Sequence, residues 1–445
     1  MKAVSNDSPL TQHLEAKRYY SGFALASDTY NAITAASDGR IYYILSSESY
    51  EQGGKMYVYD PQTNETQLLA DLTDICGEAG KKAIPQGKSH VRFYEYEGKL
   101  YFATHCNIYE TIDGIPGLPQ HVPDGFTTYP GGHILSYDPA TGAFKDLAIA
   151  PNGEGILTMT IDRVRGYLYV LTWPLGYLIQ YTIATRNLQP IGLTCGRGEA
   201  GTVGDDYRVI CRSTFVDPSD GRLYLSTAEG DILTYCPDKK TLNKVDGAHL
   251  RLDYFGRYDP TRPGSMGYNW RKISWSASEA VAYGVHGNSG YLFRFDPRQS
   301  TLTVVERITS EPSKRSGMSD QFRYGYLGFQ LGPDDTTVYY LTGGPIPADE
   351  KKQEGAESSV KESGSAQENL HLVTYHLPTF HYQDHGPIYY ADGTRPSHVN
   401  SIAIGADGTI YTLARFDYEG HSVQDLIKIS SLLANSYPFL TDHIP

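Results

Sequence analysis

A short motif recurs along this 445-residue chain and limits what it can fold into. Its form is G-[KR]-[LI]-Y, a turn glycine feeding an apolar run. It gives GRIYYIL from Gly39, GKLYFAT from Gly98, GYLYVLT from Gly166 and GRLYLST from Gly221. Looser copies are AVAYGVH from Ala280, TTVYYLT from Thr336 and GTIYTLA from Gly408. After most copies comes a second apolar segment ending in a version of Y-D-P: MYVYDP, ILSYDP, LIQYTI, ILTYCP, LFRFDP and LVTYHL. Such runs have strand length and are bounded by turn residues. With one strand before the motif and one after the Y-D-P segment, each unit has four strands. Seven units, spaced by roughly 40–80 residues, predict an all-β fold. The specific expectation is a seven-bladed β-propeller, four antiparallel strands per blade, forming one domain over 1–445. A row of independent sandwiches is the weaker alternative, and no long amphipathic helix is visible.

Insertions account for the uneven spacing. NIYETIDGIPGLPQHVPDGFTTYPGGH, in the second unit, mixes Gly and Pro with aromatics and is expected to be ordered. The stretch 348–369, ADEKKQEGAESSVKESGSAQEN, is charged and almost free of large apolar residues, so a disordered surface loop is expected there.

Composition agrees and excludes several classes. The chain holds 37 Tyr, 14 Phe, 3 Trp and 45 Gly, a balance that favours strands and tight turns. Its net charge is −13 and no basic block occurs, so nucleic acid is not an expected partner. No stretch has the length and apolarity of a membrane span, and the N-terminal segment lacks the apolar run of a secretory signal. A soluble monomer is expected, either a mature form or a cytosolic protein. Cys76, Cys106, Cys195, Cys211 and Cys236 are scattered without a CxxC pair, which reads as buried thiols.

One hairpin stands out, SHVRFYEYEGKLYFATHC from Ser89 to Cys106. A two-residue turn at Glu97–Gly98 sets Tyr96 opposite Lys99. Counting outward then sets His90 opposite His105, with Cβ atoms about 4.5–5.5 Å apart. Aligning the units on this hairpin gives two rings at one rim of the channel. The His90 series is Asn31, His90, Thr158, Arg212 (or Ser213), Lys272, Gly328 and Asn400. The His105 series is Ser46, His105, Trp173, Ala228, Gly287 beside His286, Gly343 and Arg415. Core positions would carry Val, Leu or Ile; these rings describe a wet, cationic mouth of the kind that binds ligands. Strand ends near a channel are also polar simply because water reaches them. The paired histidines, and next Arg212, rise furthest above that plain reading.

Paired carboxylates for glycoside hydrolysis are not found near the rings, nor are inward oxygen ligands for a catalytic calcium. His, Tyr and Arg suit β-elimination from a uronate. A base removes the C5 proton, a cation neutralises the adjacent carboxylate, and an acid protonates the departing O4. The runs GKSHVRF, LYFATHCNIYE, YPGGHILSYDPATG, GEGILTMTID and LYVLTWPLG resemble the β-propeller polysaccharide lyases. These include ulvan lyases and, more distantly, oligogalacturonate lyases. The likeness is densest over about residues 85–240, and TWPLGY and GYNWRKISW point toward the fungal lyases that act on L-rhamnose-α-1,4-D-glucuronate.

The resemblance implies His105 as catalytic acid or base, His90 as its neighbour and Arg212 as the carboxylate clamp. It implies His133 and Tyr129 at the site, and Tyr129, Tyr177 or Tyr207 as an acid or base. Arg197, Arg208 and Arg271 compete with Arg212, and Trp173 offers a stacking face. His286 and Arg415 belong to the rings only. His133 reads equally well as a structural histidine holding the insertion. The chemistry requires no cofactor, while a structural calcium in or near the channel is allowed for without ligand spacing to mark it. The implied activity releases terminal L-rhamnose from α-1,4-linked D-glucuronate, as in gum arabic and arabinogalactan side chains, leaving an unsaturated uronate. The alternatives are an ulvan-type endo-lyase, a non-catalytic glycan- or protein-binding propeller, and a metal-dependent hydrolase. An uronate-containing carbohydrate is the expected partner, and that substrate class favours an extracellular setting.

Overall fold

The computed structural model describes residues 13–316, 328–345 and 368–430. All seven motif segments are strands: Ile41–Ser47, Lys99–Ala103, Tyr167–Trp173, Leu223–Ser226, Val281–His286, Thr337–Pro345 and Ile410–Tyr418. The Y-D-P-like segments are the strands that follow six of them: Lys55–Asp60, His133–Asp138, Tyr177–Thr182, Asp231–Cys236, Tyr291–Asp296 and Glu368–His376. The chain is all-β. Among the described residues it forms four four-stranded sheets, one five-stranded sheet, one eight-stranded sheet and a two-stranded hairpin. The hairpin, Glu110–Ile112 with Ile115–Gly117, lies in the ordered part of the insertion expected after Cys106.

Burial falls from the inside of each sheet outward. Ile41–Ser47 is buried along its whole length, whereas the outer strand Glu65–Asp71 is largely exposed or half-buried. The core therefore lies between neighbouring sheets. One cluster joins Tyr42, Phe93, Phe102 and Met159 from three successive sheets, and a second joins Leu171, in the same sheet as Met159, to Phe215, Trp270 and Phe293 from the next two. Inner strands sit side by side: Gly155–Asp162, Phe215–Val216, Trp270–Ser276 and Phe329–Leu331, with Ala403–Ile404 against Ile33–Ala35. A cavity among them is walled by Asn31, His90, Thr158, Arg212 and Lys272, with others, from five of the inner strands or the segments that lead into them. Sheets packed face to face around a shared channel are the arrangement of a β-propeller.

The eight-stranded sheet shows how the ring is joined. Leu14–Arg18 lies parallel to His381–Tyr390 on one side and antiparallel to His421–Ile429 on the other. It fills the outer place of the last sheet, whose other strands come from the opposite end of the sequence. Arg18 fastens it, its guanidinium 3.9 Å from the Tyr390 ring centroid and 2.7 Å from Asp392. The expected loop at 348–369 falls mostly outside the described residues. Its last two positions, Glu368 and Asn369, are corrected to strand, paired with Pro345 and Gly344.

Deleting the chain through Arg18 should leave two strand edges unpaired and lower stability by at least about 3 kcal/mol, judged from several net backbone hydrogen bonds of about 0.5–1.5 kcal/mol each. Urea unfolding compared with the intact chain checks this, and an unchanged midpoint would rule out the closing role.

Candidate active site

The hairpin forms with the predicted turn but a different register. Tyr96 faces Lys99, and Glu97 and Gly98 both take positive φ, 49° and 72°, as a tight two-residue hairpin turn requires. Regular pairing then stops at Tyr94. The Ser89 hydroxyl takes the Val91 N–H at 3.2 Å and closes a bulge. As a result Lys88, not His90, pairs with His105: the Lys88 N–H reaches the His105 carbonyl at 3.0 Å and the His105 N–H reaches the Lys88 carbonyl at 2.7 Å. The two imidazoles still meet, centroids 4.6 Å apart and edge to face.

His105 is buried and its tautomer is set. Nδ1 donates to the Cys106 carbonyl at 2.6 Å, which leaves the Nε2 lone pair unprotonated; no partner reaches that buried nitrogen. Gly155 makes room for the ring, since a Cβ there would lie 2.9 Å from its atoms. Burial, then the Lys88 charge and further Arg212, push the His105 pKa well below the usual histidine value, against the pull of the Cys106 carbonyl. Burial likewise depresses His90, helped by Lys88, His105, Arg212 and Arg271. Both rings are neutral at neutral pH.

Three cations share this cavity of about 170 Å³ with the histidines: Lys88, Arg212 and Arg271. The Lys88 ammonium lies 5.3 Å from the Tyr30 ring centroid and 4.9 Å from that of Tyr109, a favourable placement for a desolvated cation. Arg212 gives NH2 to Glu199 at 2.6 Å, while its buried NH1 has no hydrogen-bond partner. Glu199 also accepts the Trp173 Nε1–H at 2.9 Å and the Ile210 N–H at 3.1 Å, so one carboxylate positions both a guanidinium and an indole. Trp173 in turn packs 5.4 Å from His105. Tyr207 lines the same cavity. Ile115 and Pro116 from the second-sheet insertion wall one side, and the Pro263–Ser265 loop another.

The structure thus unites His90, His105, Arg212, Arg271, Trp173 and Tyr207. It places seven other predicted residues elsewhere. Tyr129 is a buried residue of the insertion and donates to Gln86 at 2.6 Å. Tyr177 starts its strand away from the cavity, its N–H on the Thr172 hydroxyl. Arg208 is bound to Glu229 and to the carbonyls of Asp205 and Tyr207. Arg415 is held by Asp28 at 2.8 Å. His286 stacks on Phe255 at 4.3 Å with nearly parallel rings, and burial lowers its pKa to about 3. His133 is the structural histidine of the insertion, 2.9 Å from both Glu78 and Asp146. Burial works against its charge, but hydrogen bonds to Asp146, Cys76 and Glu78 outweigh this and lift its pKa to about 11. Arg197 is mostly exposed, beside Asp206.

Sequence reasoning missed Lys88, Tyr30, Tyr109 and Glu199. Lys88 lies in the GKSH run two residues before His90, and the irregular register sets it opposite His105. Glu199 sits in a short turn, Gly198–Ala200, that carries no repeat signal. The five cysteines are buried and free, as expected. Among the described residues no set of three or more His, Cys, Asp or Glu converges as metal ligands. The cations and neutral imidazoles of the cavity are a poor fit to calcium, which takes oxygen ligands. No described helix is long and apolar enough to cross a membrane.

No family model and no curated protein matches the chain. Among solved structures it is similar to a chain of a mitotic checkpoint complex at 10% identity and TM-score 0.49, covering 96% of both chains. It also matches a chain of a nidogen/laminin complex at 9% identity and TM-score 0.38, covering 63% of this chain and 79% of that one. Hydrazine synthase of Kuenenia stuttgartiensis matches at 12% identity and TM-score 0.38, over 63% of each chain. Likeness this faint identifies neither family nor function.

His133→Ala should cost about 3 kcal/mol, the order expected for breaking a buried ion pair, yet leave the cavity intact. A histidine with a raised pKa stabilises fully below its unfolded value of about 6.5, and its contribution drains away as pH climbs toward the folded value of about 11. The stability gap between wild type and variant should therefore shrink from pH 7 to pH 11 in denaturant titrations. A gap that widens over that range would contradict the assignment.

Proposed function

We propose that the chain is a carbohydrate lyase that cleaves the bond to O4 of a uronate by β-elimination. The observation that carries this reading is the neutral His105, its Nε2 lone pair unpaired, in one cavity with Lys88 and the free NH1 of Arg212. Docked on these cations, a uronate carboxylate loses the effective negative charge that would otherwise oppose an enolate-like intermediate. The same docking offsets two of the charges that depress His105, which strengthens it as a base when substrate is present. Nε2 takes the C5 proton, the C4–O4 bond breaks, and O4 leaves with a proton from an acid. That acid is a phenol of the cavity wall: Tyr109, which burial keeps protonated and whose hydroxyl donates to the Cys106 carbonyl at 3.0 Å until substrate displaces it, or Tyr207. His90 holds the base edge to face.

The scaffold in this reading is a seven-bladed propeller, the eight-stranded sheet counting as two blades. Walls from the insertion and from Pro263–Ser265 favour removal of a terminal sugar over cleavage inside a polymer. With the sequence resemblance, that supports release of L-rhamnose from α-1,4-linked D-glucuronate. An ulvan-type endo-lyase is the alternative among enzymes, and a glycan-binding propeller the alternative outside them.

Ultraviolet absorbance should rise, from the unsaturated uronate, when the protein meets rhamnosyl-glucuronate arabinogalactan, with monosaccharide as the small product. A response only to ulvan, with an oligomer series, would select the endo-lyase. Binding without any rise would leave the binding propeller. His105→Gln and Arg212→Ala should each lower kcat by about 10²-fold or more with the fold retained. Gly155→Ala, which crowds the His105 ring, should also slow turnover. Because the base must be unprotonated and its pKa is depressed, kcat/KM should stay level through neutral pH and fall only well below pH 6.5; a fall beginning above pH 7 would exclude His105 as base.

A further inference from the structure

Below the histidine cavity the channel narrows between His90, Arg212 and Lys272, then widens again at its other end. That far cavity measures about 450 Å³. Three cations from different sheets line its wall: Arg92, Arg163 and Lys272, with Arg92 close enough to bear on the charge of both the others. Arg163 gives Nε to the Glu95 carbonyl at 2.9 Å, and the Arg92 guanidinium lies 5.9 Å from the Tyr94 ring centroid. The two wall carboxylates are engaged elsewhere. Asp162 holds Arg165 at 3.1 Å, and Asp335 takes the Ser278 N–H at 2.7 Å and the Ser276 hydroxyl at 3.1 Å. The hydroxyl-bearing Ser213 and Thr214 complete the face.

Like charges gathered in a partly desolvated channel are costly unless something negative joins them. The cost is visible at Lys272, where burial first, then Arg92 and Arg271, push the ammonium down to about 7. An anion seated among the three groups would reverse that tendency. Two arginine forks and an ammonium approaching from three sheets suit a ligand with acceptors on several faces.

We propose that this far end of the channel is a second anion site, taking a doubly charged tetrahedral oxoanion of the phosphate or sulfate type. It is distinct from the histidine cavity and does not depend on the lyase reading. Adjacent residues of one strand serve both places: Arg271 faces the histidines and Lys272 the far cavity.

Isothermal titration of the full-length protein with inorganic phosphate tests the proposal, alongside Arg92→Gln, Lys272→Met and Arg212→Gln. Phosphate should bind the wild type, and Arg92→Gln or Lys272→Met should weaken that binding about tenfold or more, the loss of one charge-assisted contact. Arg212→Gln should leave it in place. If Arg92→Gln does not fold, Lys272→Met carries the comparison. Selenate-soaked crystals of the wild type should show an anomalous peak between Arg92, Arg163 and Lys272. The proposal is overturned if phosphate does not bind, if binding survives both Arg92→Gln and Lys272→Met, if only Arg212→Gln removes it, or if selenate occupies the histidine cavity alone.

Discussion

Pairing of Leu14–Arg18 with His421–Ile429 closes the last sheet, and the channel depends on that closure. Each sheet buries its inner strands only against its neighbours, so no sheet is complete alone. Once the ring is joined, the starts of the inner strands point into a common space. Five of them contribute residues to one narrow cavity. The site is therefore a property of the whole ring, although its residues come mostly from the second to fifth sheets.

A channel wall made of strand ends has few backbone partners to offer, and side chains decide its charge. Here they decide it against the average of the molecule: a chain of net charge −13 gathers Lys88, Arg212, Arg271 and Lys272 around its axis. Glu199 is the carboxylate among them in the histidine cavity, and it orients Arg212 and Trp173 rather than cancelling the field. Desolvation and that field keep both histidines neutral. A base that is neutral, buried and beside cations is suited to an anionic substrate, because binding removes the charges that weaken it.

The repeat made much of the fold legible. All seven motif segments are strands, and the six Y-D-P-like segments follow them, because period and turn chemistry act locally. The site was legible in part from that frame: His90, His105, Arg212 and Trp173, taken from the two aligned rings, line one cavity, though not in the pairings the alignment set. It was not legible where backbone irregularity intervenes. His90 was expected opposite His105, and the bulge closed by Ser89 gave that place to Lys88. His133 and Tyr129 share a motif with the site but are consumed by the packing of the insertion, through Glu78, Asp146 and Gln86. Glu199 and the Pro263–Ser265 wall come from connections, whose geometry the repeat does not encode.

Irregular register at the mouth is more than a local accident. An unbroken strand sends alternate side chains to opposite faces, so neighbours cannot both reach the axis. A bulge relaxes that rule. Register shifts occur between Ile156 and Thr158 and between Trp270 and Lys272, as well as beyond Tyr94. At the second of these, Arg271 and Lys272 both face the channel, one above its narrowing and one below. The shift at Trp270 and Lys272 thus lets one inner strand furnish two charged cavities along one axis, which a regular ladder of the same residues would not do.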